Sequence, residues 1–333
     1  MESRRFCKHL IYIFTFHKTV SIDFVKSVYH MCRRNTRKNK NKLQRDEKDA
    51  IMLRSNPNGD DLTMEKRFAF IGAGNMASAI IGGLTDKTAA DAVPEAQITL
   101  FDKNPAQYDR YGTGFVRASS AADAARDADI VVLAIKPQNY AEVLDELGRT
   151  DTHGKIFISI AAGISTAFVE SYLGSDAAVV RTMPNTPLLI GKGVTALCRN
   201  KNVSDAQFDL VEHIFASRGA TLRLDEADMN KIIAATSSSP AYIFLMIKAI
   251  CDGAAAEGIR CDNLRDAVCN MVIGSAELAL RSDKSLDELI RMVTSPKGTT
   301  EKALEVFYAA GFEKTVAAAM DACTRRADEL AQG

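Results

Sequence analysis

Phe68-Ala69-Phe70-Ile71-Gly72-Ala73-Gly74-Asn75-Met76-Ala77 reads as a short apolar strand running straight into a glycine turn and the first residues of a helix. The turn has the form G-x-G-x-x-A, which is informative in this strand–turn–helix setting and weak outside it. Gly72 permits the tight turn, Gly74 lets backbone approach a pyrophosphate, and Ala77 is small enough for close helix–strand packing. Asn75 and Met76 open the helix, whose N–H groups and positive dipole end suit phosphates. A dinucleotide is the expected ligand.

Outward from this stretch, apolar runs alternate with helical ones. Further strands are expected at Ile98–Phe101, Phe115–Ala118, Ile130–Ile135, Ile156–Ile160 and Ala178–Thr182, with closing strands at Val194–Cys198 and Ala220–Leu224. Helices are expected near Met76–Leu84, Ala121–Arg126, Tyr140–Leu147, Thr166–Leu173 and Asp205–Ser217. Such alternation implies a mostly parallel sheet with both faces covered. From Glu226 nearly everything reads as helix, broken at Ser237–Pro240, Gly258, Ser282–Ser285, Ser295–Gly298 and Gly311. The expected class is α/β: an N-terminal Rossmann-like doubly wound domain over 64–225, then an all-helical C-terminal domain over 226–333. Ala241–Ile250 with Ala254-Ala255-Ala256 is too uniformly apolar for a surface helix, so it is expected in a core or in a homo-oligomer interface.

Upstream, residues 1–63 differ in kind. They hold 14 Lys and Arg against 7 Asp and Glu, whereas residues 64–333 hold 28 against 35, so the neutral total conceals two opposite balances. The basic, Asn-rich run Arg33 to Lys42 reads as solvated or disordered. Met64-Glu65-Lys66-Arg67 leads directly into the first strand, so Met64 is an alternative start and 1–63 is read as an extension outside the fold, disordered or untranslated. The acidic balance of the remainder argues against nucleic acid as a partner. No apolar run is read as reaching the roughly 18 residues of a membrane span, and no membrane partner is expected. Seven scattered cysteines without C-x-x-C spacing point to a reducing, cytoplasmic setting. Beyond the extension only His153 and His213 remain, so no metal site is expected.

Cofactor choice is open at Phe101-Asp102-Lys103-Asn104. Asp102 could accept from ribose hydroxyls and favour NADH, Lys103 could pair with the 2′-phosphate of NADPH, or Asp102 could merely cap the following turn. Four further motifs stand at expected strand ends or helix starts: Ala134-Ile135-Lys136-Pro137, Ser159 to Ile164, Arg181-Thr182-Met183-Pro184-Asn185-Thr186-Pro187, and Ser238-Ser239-Pro240-Ala241-Tyr242. A fifth, Thr294-Ser295-Pro296-Lys297-Gly298-Thr299-Thr300, runs into a helix start.

In this order and spacing the motifs resemble those of pyrroline-5-carboxylate reductases, from about Phe68 to Leu330. The resemblance implies reduction of 1-pyrroline-5-carboxylate to L-proline by NADPH, with NADH as the alternative donor, in a homo-oligomer joined through the helical domain. It implies cofactor contacts at Gly72, Gly74, Asn75, Met76, Ala77, Asp102, Lys103, Ala134, Lys136, Pro137, Asn185 and Ser238. It implies substrate contacts at Asp283, Ser295, Gly298, Thr299 and Thr300, with Thr300 orienting or protonating the imine nitrogen and Asn185 orienting the nicotinamide. Two departures stand out: Thr236-Ser237-Ser238-Ser239, with serine replacing glycine, where the family has a glycine-rich stretch, and Lys297 for the first of two glycines. The competing readings are a hydroxy-acid dehydrogenase, for which Lys231 would be the catalytic lysine, and a non-catalytic nicotinamide-binding regulator.

Overall fold

The computed structural model describes residues 65–89 and 91–332, so the expectations for 1–63 and for a start at Met64 lie outside the described residues. Eight strands form one sheet in the order β3-β2-β1-β4-β5-β6-β7-β8. β1 (Phe68–Ile71), β2 (Ile98–Phe101), β3 (Val116–Arg117), β4 (Ile130–Leu133), β5 (Ile156–Ser159) and β6 (Ala178–Pro184) are parallel. β7 (Gly193–Arg199) pairs antiparallel with β6, and β8 (Gly219–Arg223) runs parallel to β7. β4 stops before Ala134 and β6 continues to Pro184, the main differences from the expected bounds.

β1 and β4, at the centre of the sheet, are apolar at every position because both faces are covered. Phe68, Phe70, Ile98, Leu100, Ile130 and Val132 pack beneath α1 (Asn75–Leu84) and α5 (Asp205–Ala216). Ala69, Ile71, Val131, Leu133 and Phe157 face the other way, beneath α2 (Ala121–Ala125), α3 (Tyr140–Leu147) and α4 (Thr166–Leu173). Strand order reverses between β1 and β4, and crevices at such switch points receive ligands in open α/β sheets.

The helical half begins with a π-helical turn, Ile233–Ser237, followed by α6 (Ser239–Ala256), α7 (Leu264–Arg281), α8 (Leu286–Met292), α9 (Thr299–Ala309) and α10 (Phe312–Gln332). Pro240 lies in the first turn of α6, where its missing N–H has no intrahelical partner to lose, so the expected break there is narrower than Ser237–Pro240. The reading that no apolar run reaches membrane-spanning length is corrected. Ile233–Ala256 is 24 residues long at a mean hydropathy of 1.3, enough by length and composition, because one continuous helical path joins two apolar patches that look separate in the sequence.

Along α6 to α9 only Val268 is buried, while Phe244, Leu245, Ile273 and Leu280 are exposed. α10 instead returns to the α/β half. Its Ala327 is buried, and the Leu330–Ala331 backbone lies 3.0 Å from where a Cβ on Gly163 would stand. Arg181, buried in β6, donates to Asn230 Oδ1 at 2.5 Å and faces Glu226 at 3.7 Å. Asn230 in turn donates to Asp328 of α10 at 2.7 Å, and Glu226 accepts from the Thr166 N–H and hydroxyl. A buried guanidinium is tolerable only with such partners.

Candidate active site

A cleft of about 480 Å³ opens at the carboxyl ends of β1, β2 and β4, with Gly72, Gly74, Asp102, Lys103, Ala134 and Lys136 among its lining. Gly72 has φ +99°, and a Cβ there would collide with the Ala134 carbonyl, so both backbone conformation and space demand glycine. Gly74 is different: a Cβ would meet nothing within 4 Å. It borders open space in front of α1. Serine hydroxyls cap α2, α4 and α5, whereas α1 starts at Gly74 with no side-chain cap and no acid in its first turn. Bare N–H groups at the end of a helix dipole, fronted by open space, fit a pyrophosphate. Ala77 is buried and Met76 packs on the core, so neither offers a polar side chain.

Asp102 is turned towards the protein. One carboxylate oxygen accepts from the Ala73 N–H at 2.8 Å, and the other from the Asn104 N–H at 2.8 Å. The Tyr108 hydroxyl accepts from the Asp102 N–H at 2.8 Å. Tyr111 donates to the Ala73 carbonyl at 3.1 Å, and burial pushes its hydroxyl up to about 12, which keeps the proton in that bond. Lys103 pairs with Glu142 of α3 at 2.6 Å, and Arg110 donates to Asn75 Oδ1 at 2.7 Å. Lys136 and Pro137 begin the short turn that carries the chain from β4 into α3. There the buried Tyr140 hydroxyl donates to the Leu133 carbonyl at 2.7 Å and lies 3.0 Å from Ser159 Oγ.

Asn185 is buried beside the sheet's carboxyl edge and both ends of its amide are engaged. Nδ2 donates to the Thr236 carbonyl at 2.9 Å, and Oδ1 accepts from the Val194 N–H at 2.9 Å. It thus ties β7 to the π-helical turn. Ser238, just after that turn, lies 3.2 Å from Cys323 Sγ of α10. Ser237 Oγ is buried, with no hydrogen-bond partner among the described residues.

The substrate-loop residues stand elsewhere. Gly298 precedes α9 with no side-chain cap, and Thr299 and Thr300 are its first residues. Among the described residues no hydrogen bond joins 295–300 to the sheet. Ser295 and Asp283 are exposed, the latter in the α7–α8 turn. Lys297 has φ +60°, the only described non-glycine residue there, which explains the family's glycine at that point. One copy of the chain therefore gathers Gly72, Gly74, Asp102, Lys103, Ala134 and Lys136 around one cleft, with Asn185 and Ser238 outside its lining and no hydrogen bond among the described residues joining 295–300 to the sheet. Sequence reasoning missed Tyr108, Tyr111, Arg110 and Glu142, whose roles depend on partners far along the chain and leave no local motif.

The model for "NADP oxidoreductase coenzyme F420-dependent" matches residues 67–163, and that for "Pyrroline-5-carboxylate reductase dimerisation" matches 226–330. The chain is 40% identical over 269 residues to the pyrroline-5-carboxylate reductase of Pseudomonas aeruginosa, covering 80% of this chain and 97% of that protein. It belongs to the pyrroline-5-carboxylate reductase family. The Escherichia coli reductase is 34% identical over 273 residues, covering 81% of this chain and all of the relative. Among solved structures, Plasmodium falciparum pyrroline carboxylate reductase with NADP bound superposes at a TM-score of 0.74 with 28% identity, covering 81% and 99% of the two chains. The Coxiella burnetii pyrroline-5-carboxylate reductase superposes at 0.70 with 32% identity, covering 80% and 98%. Membership in this family accounts for the doubly wound sheet followed by helices.

Proposed function

We infer that this chain reduces 1-pyrroline-5-carboxylate to L-proline, with NADPH as the donor. The observation that carries this reading is the relationship to a reductase of the same name over 97% of that protein's length. The bare α1 N-terminus behind Gly74 and the NADP-bound relative support the cofactor. NADPH held in the cleft would supply the hydride that reduces the imine carbon. The chain must then hold the pyrophosphate at Gly72 to Ala77, support the nicotinamide end at the Asn185 and Ser238 turn, orient the imine, and let nitrogen gain a proton. Thr300 is the residue assigned to the imine nitrogen. The uncapped first turn of α9, with Gly298 and Thr299, suits the substrate carboxylate. Ser295 and Asp283 shape the approach to that loop.

The assembly is read as a homo-oligomer. The exposed apolar faces of α6 to α9 need a partner, and the dimerisation model covers the same residues. A second copy would bring its α9 to the first copy's cleft, which a single chain leaves without a substrate loop. A small-molecule substrate and a second copy suffice as partners, with no nucleic acid or membrane required. Free thiols at Cys198, Cys251, Cys261, Cys269 and Cys323 favour a cytoplasmic location. The test is loss of nicotinamide absorbance when the protein meets 1-pyrroline-5-carboxylate with NADPH or NADH. Rapid oxidation of NADPH is expected, and a folded protein that binds NADP+ but oxidises neither donor overturns the reading.

A further inference from the structure

Three cations stand near the β2 side of the cleft. Arg110 is engaged by neutral oxygens, Asn75 Oδ1 at 2.7 Å and Gln107 Oε1 at 2.9 Å, and Arg117 lies over the Tyr108 ring, 5.0 Å from its centroid. Of the three, Lys103 is the one with a carboxylate partner among the described residues, Glu142 at 2.6 Å. Lys103, Asn139 and Val143 all line the cleft, and Glu142 lies between the last two in the chain. Among the described residues this is the one side-chain hydrogen bond that joins the turn after β2 to α3. The pair lies beside the cleft that Lys103 lines.

Asp102, placed where an acid ordinarily reads a ribose 2′-hydroxyl, already has both oxygens on backbone N–H groups. Discrimination between NADPH and NADH then falls to charge at this edge. Given that the cleft holds NADPH, we propose that Glu142 sets the cofactor preference by competing with the 2′-phosphate for Lys103. A phosphate carries more charge and more acceptor oxygens than a carboxylate, so it takes the ammonium from Glu142. NADH has a hydroxyl at that place and leaves the pair intact. Glu142 thereby weakens binding of the phosphorylated dinucleotide and leaves the other unchanged. Both side chains are more than half exposed, so the pair contributes little to folding and can be altered without unfolding the protein.

The test is calorimetric titration of NADP+ and of NAD+ into the full chain, its Glu142→Gln and Lys103→Gln variants, and the double variant. Glu142→Gln should bind NADP+ about two- to fivefold tighter, the range of an exposed ion pair, with NAD+ affinity unchanged. Lys103→Gln should weaken NADP+ and abolish the gain from Glu142→Gln in the double variant. An equal gain for NAD+, no gain at all, or a gain that survives in the Lys103→Gln background overturns the proposal. Failure of the wild-type chain to bind either dinucleotide overturns the NADPH reading along with it. Selective NADP+ binding that ignores Glu142 overturns only this inference.

Discussion

The carboxylate of Asp102 accepts a hydrogen bond from the backbone N–H of Ala73, 29 residues earlier, at 2.8 Å. The end of β2 thereby pins the middle of the glycine turn that ends β1. Asp102→Ala leaves the N–H groups of Ala73 and Asn104 without this acceptor and should cost about 1–3 kcal/mol. It should weaken NADP+ and NAD+ alike, because the turn itself loosens. Urea unfolding and parallel dinucleotide titrations check this, and a loss confined to NAD+ would show that Asp102 reads the ribose instead.

Gly72 and Gly74 should respond differently to alanine. Gly72→Ala combines a positive φ with a collision against the Ala134 carbonyl, so it should destabilise the fold by about 2 kcal/mol or more. Gly74→Ala meets nothing within 4 Å, and its stability should change by less than about 1 kcal/mol. Its Cβ would stand in the phosphate space, so dinucleotide affinity should fall. Melting curves and titrations on the two variants separate the effects.

Asn185→Ala removes two hydrogen bonds of a buried amide and strands the Thr236 carbonyl and the Val194 N–H. A loss of about 2–3 kcal/mol is expected. Asn185→Asp keeps an acceptor for Val194 and should recover part of the stability, while the carboxylate faces the Thr236 carbonyl without a proton to donate. Chemical denaturation of both variants tests this, and equal stabilities would place the main contribution outside these bonds.

Thr300→Ala should lower kcat roughly a hundredfold, the lower range for a group assisting proton transfer, with the NADP+ dissociation constant unchanged. Thr300→Ser should retain most of the rate. Steady-state kinetics decide, and an unaltered kcat in the alanine variant removes Thr300 from the reaction.

Lys297→Gly relieves a side chain held at φ +60° and should raise stability by about 0.5–1 kcal/mol. Thermal unfolding measures this. A rise in KM in the same variant would assign the ammonium to the substrate carboxylate as well.

The parts of this protein that could be read from sequence are those whose causes are local. The β1–turn–α1 unit declares itself because strand, glycines and helix are contiguous, and β4 is apolar at every residue because helices cover both faces of the sheet. The antiparallel turn into β7 is less visible: Thr186–Ile190 is a short 3-10 segment, too short for a crossover. The long-range contacts in and around the candidate site were not legible. Asp102 finds Ala73 across 29 positions, Lys103 finds Glu142 across 39, and Asn185 finds Thr236 across 51. Thr299 and Thr300 look in sequence like a helix cap. In the structure neither serves as one, since Gly298 is the residue that precedes α9.

The return of α10 onto the α/β half sets an order of events during synthesis. Asp328 reaches Asn230, which holds Arg181, and the Leu330–Ala331 backbone lies over Gly163. The sheet is complete once Arg223 has left the ribosome, yet these contacts wait for residues more than a hundred positions later. A nascent chain can pair its strands early, but its final packing waits until α10 has emerged.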